Sequence, residues 1–170
     1  MALPLTSAIV EALPAPDFRQ IDQLRARVED GSLFPGEGFP SEDSELRESL
    51  AIVCGELLEN AAKYSDWTAG RSVSLTLIVE GADLVVRVEN PVRPGDEHVR
   101  ELLMGLAWLE AQPSAAVAYQ HRVMAIAAAR PGGPSRLGLL RIAYEAGCSV
   151  VAELDPTETL LTMVARLPVR

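Results

Sequence analysis

A chain of 170 residues with 48% hydrophobic and 23% charged side chains has room for one domain with a substantial core and too little for two full ones. It contains no run of about 18 apolar residues, which argues against an α-helical membrane span. The formal charge of −9 and pI near 4.7 oppose a nonspecific grip on nucleic acid or anionic lipid, because both need clustered Lys and Arg, and a protein partner or small ligand fits better.

The start, MALPLTSAIVEALPAPDF, has no basic region ahead of an apolar stretch. It does not read as a signal peptide, so a cytoplasmic location is expected. In DFRQIDQLRARVED, the spacing of Phe18, Ile21, Leu24 and Val28 predicts a first helix with Asp17 as N-cap. GSLFPGEGFP breaks it with Pro35, Gly36, Gly38 and Pro40. SEDSELRE then caps a second helix predicted from about Ser44 to Lys63, whose apolar stripe is Leu46, Leu50, Val53, Cys54, Leu57, Leu58 and Ala61.

Val73, Leu75, Leu77 and Val79 alternate with Ser72, Ser74, Thr76 and Ile78, EGAD turns the chain, and Leu84, Val86 and Val88 alternate again. This predicts an antiparallel hairpin. From Asp96 to about Ala129 the period is helical again, interrupted near Pro113, and RPGGPSRLGLLRIAYEAG reads as a glycine-rich loop entering another helix. CSVVAEL and LLTMVARLPV close the chain as two strands joined through DPTET. The expected class is α+β, an antiparallel or mixed sheet covered by helices on one face. A single domain, 1–170, is expected, with an N-terminal helix and loop over 1–43 and a motif-bearing core over 44–170. Cys54 and Cys148 lie on apolar segments without metal-ligand spacing and read as small buried thiols. His98 and His121 sit in no catalytic motif and read as surface or partly buried imidazoles.

Glu56, Asn60 and Lys63 follow one another at intervals of four and three along the second helix. Taken alone, they are what any solvated helix face carries, and Glu59 with Lys63 makes an ordinary favourable pair. The same geometry also suits a magnesium nucleotide site. An amide oxygen can take one position on a hard cation that keeps waters and phosphate oxygens, a carboxylate one turn earlier can accept a proton from a hydroxyl, and Lys63 can meet phosphate charge.

ELLENAAKYS resembles the N-box of the GHKL ATPase superfamily, the fold of sensor histidine kinase catalytic domains and anti-sigma factor kinases. SRLGLL at 135–140 resembles that family's second glycine box, and LVVRVEN resembles the strand leading to its first. The likeness spans about residues 44–167 and implies a two-layer α/β sandwich of the GHKL (Bergerat) type with a mixed, mostly antiparallel sheet. It places Glu56 at the general-base position and Asn60 at the magnesium-ligating one. Lys63 and Tyr64 then line the nucleotide site, and Gly138, with Leu137 before it and Gly132 and Gly133 upstream, contributes to the phosphate loop. Glycine there lets backbone N–H groups approach phosphate. ATP and Mg2+ are the implied cofactors.

Where the family carries an Asp followed by a glycine-rich turn, this chain has ENPVRPG, so Asn90 stands at the adenine-binding position. Its amide can still hydrogen-bond an adenine amino group. Arg136 occupies a position where glycine is common. In these features the chain more closely resembles small stand-alone bacterial regulators of the GHKL fold, the group that includes SiaB-like protein kinases. That likeness implies a partner-switching circuit with a small phosphoacceptor partner of the STAS or similar kind, and suggests a homodimer. Two readings stay open: an ATP-dependent serine/threonine protein kinase, or a binding module that regulates its partner by stoichiometric contact without nucleotide. Apolar residues between Val99 and Leu109, Trp108 among them, suit an interface or a core.

Overall fold

An apolar stripe running from Leu46 to Ala61 needs a surface to lie on, and alternating strands provide one. The computed structural model describes residues 8–34, 43–128 and 137–169. Their order is β1 (Ala8–Leu13), α1 (Phe18–Glu29), α2 (Ser44–Tyr64), β2 (Val73–Glu80), β3 (Asp83–Pro91), α3 (Glu97–Glu110), α4 (Ala115–Ala128), α5 (Gly138–Tyr144), β4 (Ser149–Leu154) and β5 (Leu160–Pro168), with one 3-10 turn at Trp67–Ala69. The fold is α+β in two layers, with a five-stranded sheet ordered β1, β2, β3, β5, β4.

Every neighbouring pair in that sheet is antiparallel, which bears out the antiparallel alternative read from the strand pairs and corrects the mixed sheet that the resemblance implied. The reason lies in the connections. β2 and β3 form a hairpin turning at Gly81, whose φ of +63° is left-handed and suits glycine, and β5 returns from its own hairpin with β4 to lie antiparallel beside β3.

The strands bury one face. Leu75, Val88 and Met163 make one cross-strand row, and Leu77, Val86 and Ala165 the next, all close to fully buried. The opposite face carries Ser74, Thr76, Glu89 and Glu153, half-buried or exposed. α2 packs across β2, β3 and β5 and buries Leu50, Val53, Cys54, Leu57 and Leu58 completely or nearly so. Each such leucine contributes roughly 2 kcal/mol of burial. α1 lies against α2 through Ile21, Leu24 and Val28. As expected, Asp17 caps α1, accepting from Gln20 N at 2.8 Å within a capping box.

Both cysteines are buried thiols, each held near a pKa of about 12 by burial. β1 is an element that the periodicity did not reveal. AIVEAL has no clean alternation and is rich in helix formers, so its extended form depends on the β2 edge, where Ala8 pairs with Ile78 and Leu13 with Val73. No helix among the described residues is long and apolar enough to cross a membrane.

Candidate functional site

At its C-terminal end α2 emerges from beneath the sheet layer and becomes one wall of a cleft of about 590 Å³. Asn60 and Tyr64 line it from α2, His98, Arg100 and Trp108 from α3, Arg122 from α4, and Gly138 and Leu139 from α5. A second cavity of about 10 Å³, room for roughly one water, adjoins it and shares Asn60, Tyr64 and His98. Asn90, near the end of β3, closes that inner space.

Asn90 is the one buried polar side chain among the described residues, 2% exposed, and its Nδ2 has no hydrogen-bond partner. An orphaned buried amide costs about 1–3 kcal/mol. It borders a cavity with room for about one water, so a water or a ligand group reaching the inner end of the cleft can satisfy it. Asn60 lines the same inner cavity, so two amides from different elements meet at the inner end of the cleft.

Glu56 lies one turn before Asn60, and its side chain is 15% exposed. One carboxylate oxygen accepts from Arg141 Nη1 on α5, and Arg141 Nε also donates to Glu145 at 3.1 Å. Burial pushes the Glu56 carboxyl above its ordinary value, and the Arg141 charge offsets part of that rise. The other oxygen faces Gly138, where a Cβ would come within 2.5 Å of Glu56 Oε2 and 3.8 Å of Asn60 Nδ2. A Cβ at 138 would force the Glu56 carboxylate or α5 to shift, so glycine suits the close start of α5 against α2. Glu56 does not line the cleft. It sits behind Gly138, clasped by Arg141.

The structure thus brings Asn60, Tyr64, Asn90 and Gly138 to one place, with Glu56 adjoining. Lys63, expected in the nucleotide site, lines neither cavity. It pairs with Glu59 at 3.6 Å and stands 5.8 Å from the Phe18 ring, on the α1 side. Each residue turns an α-helix by about 100°, so Lys63 falls about 60° back around the axis from Asn60 while Tyr64 falls about 40° beyond it. Leu137 precedes α5 half-buried and does not line the cleft. Gly132 and Gly133 lie outside the described residues.

Sequence reasoning passed over Arg100 and Arg122 and read His98 only as a surface or partly buried imidazole. No motif contains them, and only the fold sets α3 and α4 opposite Asn60. His98 opens α3, whose N-cap Asp96 accepts from its N–H at 2.8 Å, and its ring lies 5.0 Å from that of Tyr64. Trp108, read as interface or core, is 41% exposed on the cleft wall. His121 is exposed, as expected.

The donor set fits a magnesium nucleotide in two respects. The unpaired Asn90 donor suits a purine ring nitrogen, its oxygen can take an exocyclic amino group, and Gly138 leaves backbone accessible where a Cβ would intrude. No three His, Cys, Asp or Glu side chains among the described residues form a metal cage. A divalent cation would therefore lean on Asn60 and on oxygens of its own ligand. Compared with known proteins, the sequence matches no family model and no curated protein.

Proposed function

We propose that this chain is a cytoplasmic signalling regulator of the GHKL (Bergerat) fold type that binds magnesium ATP in the cleft and phosphorylates a serine or threonine of a small partner protein of the STAS kind. The observation that carries this reading is the orphaned Asn90 amide beside Asn60, at the inner end of a cleft whose α5 wall begins with Gly138. When bound, magnesium ATP would supply the transferable phosphoryl group. Asn90 holds the base by its amide, and Asn60 offers its side-chain oxygen to the cation. Glu56 accepts the proton of the attacking hydroxyl, which requires the ion pair with Arg141 to open. Phosphoryl transfer asks mostly for positioning and charge neutralisation, so this short list of groups is sufficient.

A specific feature favours a second reading, a binding module that works without nucleotide. Glu56 is engaged by Arg141 away from the cleft, while Met104, Trp108 and Met124 expose apolar surface on α3 and α4. Calorimetric titration of ATP with Mg2+ into the wild type, Asn60→Ala and Asn90→Ala separates the two. Binding that both substitutions abolish supports the nucleotide site, and phosphorylation of the partner that Glu56→Ala eliminates supports the kinase. A folded wild type that takes up no ATP at millimolar concentration leaves the binding module.

A further inference from the structure

We propose that Arg122 is the cation that receives the phosphate chain of a ligand in the cleft, the role that Lys63 is not placed to fill. This deepens the nucleotide reading and rests on it.

The environment of Arg122 carries the argument. α4 reads AAVAYQHRVMAIAA, and Arg122 is its single residue of the Lys, Arg, Asp and Glu set. It is half-buried and lines the cleft. A guanidinium taken partly out of water calls for a counter-ion, because it stays charged at any physiological pH. Three other arginines find a carboxylate within the molecule, Arg141 in Glu56 and Glu145, Arg166 in Glu80 and Arg93 in Asp66, while the half-buried Arg87, which has none among the described residues, does not line the cleft. Among the described residues no carboxylate pairs with Arg122.

Two carboxylates do line the cleft, Glu97 and Glu101 on α3. Arg100 on α3 also lines the cleft, but it shares its helix with these two carboxylates, whereas Arg122 comes from a helix with no acidic residue, so α4 is the wall that offers an anion a cation without a carboxylate on the same helix. A planar guanidinium with paired N–H donors matches phosphate oxygens bidentately. The ligand chemistry selected is therefore a polyphosphate, carried by a nucleotide or free.

The test is calorimetric titration of the full chain and of Arg122→Gln with three probes: ATP with Mg2+, adenosine, and tripolyphosphate. Losing a charge-assisted contact predicts that Arg122→Gln binds ATP and tripolyphosphate roughly tenfold or more weakly. Adenosine affinity stays within about twofold, since the Asn90 end is untouched, and Arg122→Lys recovers part of the loss. Unchanged ATP affinity in a folded Arg122→Gln protein overturns the proposal, as does an equal loss for adenosine, which would make Arg122 a shaper of the cleft. Tripolyphosphate bound through Arg122 without any ATP binding leaves Arg122 in its role and removes the nucleotide reading. If the wild type binds neither, both fall.

Discussion

α2 and the pair α3 and α4 are all rich in apolar residues but bury them very differently. α2 buries Leu46, Leu50, Ala51, Val53, Cys54, Leu57, Leu58 and Ala61 between α1 and the sheet. α3 buries only Val99 outright and α4 only Ala118, and Met104 and Met124 stand 66% and 70% exposed. The difference separates a helix whose burial holds the fold from two whose side chains stay accessible along the cleft.

The largest expected effect tests that division directly. Leu57→Ala removes a fully buried side chain and is expected to cost about 3 kcal/mol in urea unfolding. Met104→Ala is expected to stay within about 0.5 kcal/mol. Comparable losses from both would mean that α3 belongs to the stabilising core after all. A smaller effect, about 1–2 kcal/mol, is expected as the coupling between Gly138→Ala and Glu56→Ala in a double-mutant cycle. A Cβ at 138 presses on Glu56 Oε2 at 2.5 Å, so the methyl group is unfavourable with Glu56 present and acceptable once it is gone. Additive effects in the cycle would show that α5 yields without displacing Glu56.

The same division separates what was legible in the sequence from what was not. α2 was readable almost to its ends, because a buried helix against a sheet must repeat its apolar residues at the helical period, and Ser44–Tyr64 does. The β2 and β3 hairpin was readable for the same reason at period two. β1 was not, since its extended form comes from pairing with β2 and not from its own residues. Within the site, Asn60, Tyr64, Asn90 and Gly138 were named from short motifs, and the structure brings them together. Lys63 was named with them but does not line the cleft, because spacing along a helix does not say which flank of a stripe faces it. Arg122 was invisible, since its meaning comes from α4 standing opposite α2, a long-range fact that local pattern does not encode.

Arg141→Met sharpens the comparison at the seam between the stable and the receptive side. It leaves the half-buried Glu56 without its counter-ion, and about 1 kcal/mol is the expected loss for so partly exposed a pair. The pH dependence gives the sign. The Glu56 carboxyl is already raised in the folded state by burial, so the folded protein holds that proton more tightly than the unfolded chain does. Its contribution to stability is present below the ordinary value of 4.5 and declines as pH rises through the folded value. Arg141→Met should steepen this decline, and Glu56→Gln should flatten it. A wild-type melting profile unaltered by either substitution would remove Glu56 from the set of groups that report on the clasp.

The smallest effect belongs to the sheet, at the turn between β4 and β5. The Asp155 carboxylate accepts from the Thr157 hydroxyl and from the backbone N–H groups of Thr159 and Leu160, both at 2.7 Å. The Thr157 hydroxyl and these N–H groups stabilise the charged form and hold the pKa at about 2, below the ordinary 3.8. For a carboxylate depressed on folding, the contribution is present above the unfolded value and is lost as pH falls through the folded one. Thermal melting between those two values should therefore show a loss of stability that Asp155→Asn reduces, since the amide accepts fewer of these bonds at every pH. The direction is opposite to that of Glu56, because Asp155 is ionised among donors supplied by its own turn whereas Glu56 is buried and depends on a single arginine from another helix. An equal slope in wild type and Asp155→Asn would mean that the turn is held by its backbone and the strands it joins, with the carboxylate adding nothing.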